Sequence, residues 1–251
     1  MKNKTLWKQV GAAAIAAAMV MSTVPATPVQ AAGGKTLAVS SQKQLNQALK
    51  TVKGKNAVIT VKAGKNVKIT IPKGTYKVTI RVVGKKVAVV NNGTVKEIVV
   101  NSKGTVAIKN NGTIKKVTVQ NAKSVSFSGN HKKAVPVVVN AEDVSMILAA
   151  PAKITAKKDV NIVLKKGAEK SSITCTKNVQ AQVDNQTKKA ISVKIADGTT
   201  LKVESGESCT ITPKGKKEDT SGEDKTDEKD KTDGKDQKTD VCYRNKLRLT
   251  T

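Results

Sequence analysis

Aromatic residues are nearly missing from this chain of 251 residues, which has one Trp, two Tyr and one Phe. The chain also has a single histidine, His131, and only three arginines among its 46 basic residues. Pockets lined with stacked rings, histidine-based metal centres and Ser–His–Asp triads all need residue types that are scarce here. The sequence therefore predicts no cofactor, no metal site and no catalytic residue.

Acidic residues are also scarce, and they are unevenly placed. The segment 32–217 has 35 basic and nine acidic residues, whereas 218–240 has ten acidic residues and five lysines. Residues 213–240 read PKGKKEDTSGEDKTDEKDKTDGKDQKTD and contain no apolar residue that could start a core. Such a composition predicts a disordered, charged linker. The ending at 241–251, VCYRNKLRLTT, matches neither neighbour and stays unassigned.

Long apolar runs are absent except at the N-terminus. Lys2, Lys4 and Lys8 precede an Ala-rich apolar stretch over 10–24, and small residues follow up to Ala31. This order is typical of a Sec signal peptide over 1–31, cleaved near Ala31, since a membrane span needs about 20 apolar residues. We therefore expect a secreted or cell-surface protein, with no membrane span in the mature chain.

An internal repeat of 19 residues makes up the body of the chain. Residues 91–109, NNGTVKEIVVNSKGTVAIK, match residues 110–128, NNGTIKKVTVQNAKSVSFS, at seven positions without a gap. Each unit has two short runs of alternating apolar and polar residues, which is typical of strands with one buried face. An antiparallel sandwich does not normally repeat its sequence, whereas the coils of a parallel solenoid do. We predict an all-β, single-stranded parallel β-solenoid of about eight coils over 53–212.

The segment before the repeat predicts a cap. Ser41 and Gln44 have the spacing of a helix capping box, and the apolar residues that follow share one face of a helix. An open coil would expose apolar side chains and strand edges. We therefore expect 32–52 to form an N-terminal cap whose amphipathic helix covers the first coil.

Residues 19 apart should stack in columns about 4.8 Å apart. Asn91 aligns with Asn110, and Asn92 with Asn111, so their amides could form ladders, although asparagine is also a common turn residue.

Lysine gives the one strong chemical signal. Lys77, Lys96 and Lys115 lie 19 residues apart and should form a row. At about 4.8 Å, neighbouring ammonium groups repel by roughly 0.9 kcal/mol in water, so an anionic polymer along the row would relieve a cost in stability. Arg81, the one arginine of the body, could add a bidentate contact to a carboxylate. The alternative is that these lysines only keep strand faces soluble.

The acidic, histidine and cysteine side chains of the body have no predicted chemical role. Asp143 and Asp159 fall in neighbouring turns but do not make a site, and His131 sits in a Lys-rich turn where we expect it to be solvated. Cys175 and Cys209 fall two coils apart, about 9.6 Å along the axis, beyond the roughly 7 Å that a disulfide spans. We expect both to be buried free thiols.

The order of a helix, LAVSSQKQLNQALKTV, a strand, AVITVKAG, and a turn, ITIPKGTY, is followed by stacked coils. This order resembles the N-terminal end of right-handed parallel β-helix proteins of the pectin-lyase-like class, and the likeness covers 37–212. The resemblance implies a right-handed solenoid, extracellular placement, and either carbohydrate cleavage or surface adhesion. Two departures stand out: a 19-residue coil is short for enzymes of that class, and their clustered Asp beside Arg or Lys has no counterpart here.

These features predict an exported, non-enzymatic β-solenoid that serves as a structural or adhesive module at a bacterial cell surface. Its Lys-rich face would favour an anionic polysaccharide or cell-wall polymer. One alternative is a polysaccharide lyase or hydrolase acting on acidic glycans, for which three or more acids should converge beside a basic residue. A second alternative is nonspecific binding of nucleic acid, since only salt-dependent phosphate attraction is available without arginine and aromatic residues.

Overall fold

The computed structural model describes residues 35–62, 64 and 66–212, together with the backbone of 242–245. The signal peptide with its cleavage near Ala31 and the charged linker over 213–240 lie outside the described residues, so both stay predictions. In the described part, no helix is both long enough and apolar enough to cross a membrane.

The chain winds into stacked parallel coils of about 19 residues, which form a β-solenoid of about eight turns and confirm the predicted fold. Each coil contributes strands to two sheets. The first sheet contains β1 (Lys35–Val39), β2 (Ala57–Val61), β4 (Thr75–Val82), β6 (Thr94–Asn101), β8 (Thr113–Ile114), β9 (Val117–Asn121), β11 (Val135–Val139), β13 (Ala152–Ala156), β15 (Ser172–Cys175), β17 (Ile191–Lys194) and β18 (Thr200–Val203). The second sheet contains β3 (Val67–Ile71), β5 (Lys86–Asn91), β7 (Thr105–Asn110), β10 (Ser124–Ser128), β12 (Val144–Ala149), β14 (Val160–Leu164), β16 (Ala181–Asn185), β19 (Ser208–Ile211) and β20 (Cys242–Asn245).

The core lies between the two sheets and is built from columns of β-branched residues. Side chains alternate between the interior and the outer face along each strand, so one residue in two is buried. One interior column runs through eight strands of the first sheet and contains only buried Ile and Val: Ile59, Ile80, Ile98, Val117, Val137, Ile154, Ile173 and Val193. Branched side chains are restricted in rotamer and pack directly on the Ile or Val at the equivalent position of the next coil.

The helix α1 (Gln42–Thr51) covers the N-terminal end of the core, as predicted. Ser41 caps the helix by accepting from the Gln44 N–H, and the Gln44 side chain in turn accepts from the N–H of Ser40. Leu45 and Leu49 are buried against the first coil. The helix therefore shields apolar residues that the open coil would expose.

The helix also protects an edge strand. Gln42 lies against β3, where its side-chain oxygen accepts from the Thr70 N–H at 2.6 Å and its amide nitrogen donates to the Thr70 carbonyl at 2.8 Å. An amide side chain thus replaces the strand that would otherwise pair with this edge.

The C-terminal end departs from the predicted stacking. Strands β18 and β19 pair antiparallel with β17 and β16, and β20 pairs antiparallel with β19. The last coil therefore folds back on itself. The prediction that Cys209 lies on a parallel coil, two coils from Cys175, is wrong. The 19-residue spacing also fails in the later coils, since Val160 pairs with Ala181. The step between coils varies in this half, from 16 residues between Val144 and Val160 to 21 between Val160 and Ala181, and this variation shifts the register. Period-two alternation cannot distinguish shifts of two residues.

Asparagine ladders stabilise the early turns. Asn91 donates to the Asn110 side-chain oxygen at 2.9 Å, and Asn111 donates to that of Asn92 at 3.0 Å. Asn91 and Asn110 are fully buried, and each side-chain oxygen accepts an N–H two residues on, from Gly93 and Gly112. The ladder interpretation is therefore confirmed for these two pairs.

Candidate functional site

A four-residue pattern, Gly-Thr-x-Lys, occurs on three consecutive coils at 74–77, 93–96 and 112–115. It marks the point where the chain turns from the second sheet into β4, β6 and β8. The Thr94 N–H donates to the Gly74 carbonyl, and the Thr113 N–H donates to the Gly93 carbonyl, each at 2.8 Å. The backbones of the three copies therefore stack in direct register.

Glycine is required at this corner because the coils approach too closely for a side chain. A Cβ at Gly112 would lie 2.2 Å from the Gly93 carbonyl oxygen, and one at Gly93 would lie 2.5 Å from that of Pro72. Close stacking at the glycines brings the following threonines and lysines into columns.

The threonines and lysines of the pattern face outward. Alternation buries Val95 and Ile114, and the three lysines are exposed. Lys96 and Lys115 occupy consecutive coils, since Val95 pairs with Ile114. A register shift between Tyr76 and Thr79 places Lys77 in an irregularity beside Lys96. The structure thus brings Lys77, Lys96 and Lys115 together as three exposed charges on adjacent coils.

These three lysines have no acidic partner in the described part of the chain, where the salt bridges are Lys116–Glu97 and Lys158–Glu142. Glu97 is the nearest acid along the sequence, but its carboxylate accepts from the Thr118 hydroxyl at 2.6 Å and lies 3.5 Å from the Lys116 ammonium group. The positive charge of the row is therefore uncompensated.

A cavity at the capped end of the solenoid extends the row. It has a volume of about 630 Å³, and three lysines but no acidic residue belong to its described lining. Its lining consists of Lys35, Thr51, Val52, Gly54, Lys55, Asn56 and Lys77. Because Lys77 belongs to both features, the cavity and the Gly-Thr-x-Lys copies form one continuous basic surface, which we call the basic corner.

Sequence reasoning missed part of this surface. The contributions of Lys35 and Lys55 depend on how the cap folds against the first coil. The threonine column could have been predicted from the sequence, since Thr75, Thr94 and Thr113 recur at the same 19-residue spacing as the lysines.

Arg81 does not join the basic corner. It lies four residues beyond Lys77, about 13 Å along a strand, in the outer column between Thr60 and Val99. The side chain is half-buried, and its Nε has no hydrogen-bond partner among the residues that the structure describes.

A second cluster contains acids as well as lysines. A groove of about 310 Å³ is lined by Glu142, Asp143, Lys157, Lys158, Asp159, Lys177 and Asn178. Glu142 accepts from Lys158 at 2.8 Å, and the pKa of Lys158 is raised by this hydrogen bond and by the carboxylate charge. Asp159 accepts from the Gln180 N–H at 2.7 Å. Two of the three carboxylates are therefore already engaged.

No group of three or more His, Cys, Asp or Glu side chains among the described residues is arranged to hold a metal ion. Asp143 and Asp159 do lie on neighbouring turns, since the Asp143 N–H donates to the Asp159 carbonyl at 3.0 Å.

His131 is half-buried and contacts two backbone carbonyls, so the expectation of a solvated turn residue is wrong. Its Nδ1 lies 3.2 Å from the Asn110 carbonyl and its Nε2 lies 3.0 Å from the Pro151 carbonyl, and its ring packs edge-on against Phe127. The ring links the coils on either side of its own turn.

The two cysteines differ. Cys175 is a buried free thiol, as predicted. Cys209 is disulfide-bonded, so the expectation of a free thiol there is wrong. That expectation relied on a parallel register, which the antiparallel β19 does not follow.

Comparison of the chain with protein-family models, with curated proteins and with solved structures finds no significant match.

Proposed function

We propose that this chain is an exported, non-enzymatic surface module that binds anionic polymers along the basic corner. The observation that carries the proposal is the stacked Gly-Thr-x-Lys pattern, which places hydroxyl and ammonium donors on three adjacent coils beside a basic cavity. Export is supported by the signal-like sequence over 1–31.

The spacing of the donors supports a polymer as the ligand. Neighbouring coils lie about 4.8 Å apart, so each lysine of the row repels the next by roughly 0.9 kcal/mol in water. A ligand with acidic groups at regular intervals would neutralise several lysines at once. A charged polysaccharide meets this need, and threonine hydroxyls can donate to its ring oxygens or acid groups.

The groove lined by Glu142, Asp143 and Asp159 brings three acids together beside lysines, which is the condition stated for the enzymatic alternative. It nevertheless supports that alternative less well than the basic corner supports binding, because two of the three carboxylates are already engaged. Its Glu142 and Asp159 carboxylates are engaged by Lys158 and by the Gln180 N–H. Nucleic-acid reading is supported less well too, because base stacking needs exposed aromatic residues. Tyr76, the one aromatic residue of the pattern, is half-buried and donates to the Lys73 carbonyl.

The test compares two triple variants with equal loss of charge. Lys77→Gln/Lys96→Gln/Lys115→Gln removes the row, and Lys153→Gln/Lys194→Gln/Lys202→Gln removes three exposed lysines from later coils. Binding of polygalacturonate and of neutral dextran is measured by calorimetry or biolayer interferometry. We expect the row variant to lose about tenfold in affinity for the acidic polymer, or ~1.4 kcal/mol, and the control to stay within about twofold.

Equal losses in both variants would contradict a localised site and indicate diffuse attraction. Equal binding of dextran and polygalacturonate would contradict the choice of an anionic polymer. Shortening of the polymer during incubation would support the enzymatic alternative.

A further inference from the structure

The outer face of the second sheet has a central column with few charges. This column runs through seven parallel strands, with a lysine at one end, an aspartate at the other, and small or apolar residues between them. In order, the column contains Lys68, Ala88, Ala107, Ser126, Ile147, Val163 and Asp184. The five inner members are half-buried and face away from the core.

Uncharged polar residues flank this column over its later strands. On one side, Thr105, Ser124, Ser145, Asn161 and Gln182 follow each other in register. On the other side, Lys109 is the one charge between Val90 and Ala149. Protein–protein interfaces commonly have an apolar core and a polar rim.

We propose that this face binds a second copy of the chain, with the two solenoids antiparallel and related by a two-fold axis through Ser126. Ser126 is the fourth of seven members, so an antiparallel arrangement superposes each residue of the column on its counterpart from the other end. The contact is then isologous, and the same residues serve both copies.

The side-chain volumes fit this arrangement. Ala107 faces Ile147 of the second copy, and Ala88 faces Val163, so each small residue meets a large one. The small residues leave a shallow groove of about 420 Å³ at their end of the face, lined in part by Ala88 and Ala107. The branched side chains of the opposite copy would fill it.

The charges fit as well. Lys68 of each copy faces Asp184 of the other, so both ends of the contact gain an opposite-charge pair. Asp184 is held in place because Gln186 donates to one carboxylate oxygen at 2.6 Å and Ser208 donates to the other at 3.3 Å. Lys68 is exposed.

The area indicates a weak, reversible dimer. Seven strands span about 29 Å, and five residues of each strand span about 17 Å, so roughly 500 Å² per copy is available. The total of roughly 1,000 Å² is at the lower limit for a specific interface. The proposal does not rest on polymer binding, because the basic corner belongs to other residues.

The first test uses sedimentation equilibrium of the purified protein and two variants of equal charge. Ser126→Lys places two ammonium groups against each other at the axis, whereas Thr155→Lys adds the same charge to the outer face of the first sheet. We expect Ser126→Lys to weaken dimerisation at least tenfold and Thr155→Lys to leave it nearly unchanged. A monomeric mass for the unaltered protein at the highest attainable concentration, or equal effects of the two variants, would overturn the proposal.

The second test uses charge reversal. Lys68→Glu and Asp184→Lys should each weaken the dimer, and the double variant should restore it. The two residues are about 29 Å apart within one chain, so restoration requires contact between copies. Lys68→Glu lowers the net positive charge of each copy and so weakens the general repulsion between copies. If this variant dimerised more strongly than the unaltered protein, net charge and not a Lys68–Asp184 pair would control association, and the proposed arrangement would be overturned. Circular dichroism confirms that each variant is folded.

Discussion

At the residue scale, the close spacing of the coils decides which side chains each corner accepts. The ladder of Asn91 and Asn110 ends where the next coil has Gly129, because a Cβ there would lie 1.9 Å from the Asn110 carbonyl oxygen. The Asn110 amide nitrogen is buried and has no acceptor in the described part of the chain. Residue choice in a solenoid is therefore set by the coils above and below as much as by the turn itself.

The Cys175 thiol gives a prediction at this scale. Burial raises its pKa from 9.0 to about 11. Between these two pH values the native thiol keeps its proton, whereas the thiol of the unfolded chain ionises. The native state binds this proton more tightly, and the stabilisation is complete below pH 9 and lost as the pH rises from 9 towards 11. At pH 8 we expect iodoacetamide to modify Cys175 only after unfolding, because the thiolate is the nucleophile.

Peptide mass spectrometry of native and urea-unfolded protein, alkylated at the same pH, measures this difference at Cys175 itself. Rapid native modification would show that the last coils open readily and that the thiol is not protected.

At the element scale, the cap determines whether the solenoid has an exposed sheet edge. Gln42→Ala removes both hydrogen bonds to Thr70 and leaves the backbone of β3 without that partner. We expect a loss of about 1 to 2 kcal/mol in the free energy of unfolding, as for other unsatisfied polar groups. Urea denaturation measures the loss, and hydrogen exchange should show faster exchange of the Thr70 amide.

Gln47→Ala is the matched control, since Gln47 is exposed on the same helix. Its effect should stay within about 0.5 kcal/mol. Similar losses in both variants would mean that helix propensity, and not the contact with β3, causes the change.

At the scale of the whole molecule, the formal charge of +27 acts in opposite directions on the two proposed interactions. Salt screens attraction between the basic corner and a polyanion, so that affinity should fall as salt increases. Salt also screens repulsion between two positive copies, so dimerisation should strengthen over the same range. One titration from low to physiological salt, followed by calorimetry and by sedimentation, measures both trends.

If both affinities fall with salt, local charge pairs such as Lys68–Asp184 contribute more than net repulsion does. If polymer binding does not change, the contact is not electrostatic and the proposed ligand class is wrong.

Sequence patterns alone were enough to predict the parallel coils, the capping helix, the early asparagine columns and the row of lysines. Each follows from a short repeat: residues 19 apart, such as Lys96 and Lys115, must stack if the coils are equivalent. Local patterns of this kind are visible because sequence distance becomes a fixed distance along the axis.

Features that depend on unequal coils could not be predicted in this way and are seen only in the folded chain. The antiparallel ending, the Cys209 disulfide, the carbonyl contacts of His131 and the cap cavity all arise where turn lengths change or where the chain folds back. At these places a two-residue shift leaves the hydrophobic alternation intact, so the sequence pattern fits several registers, and contacts between coils select among them.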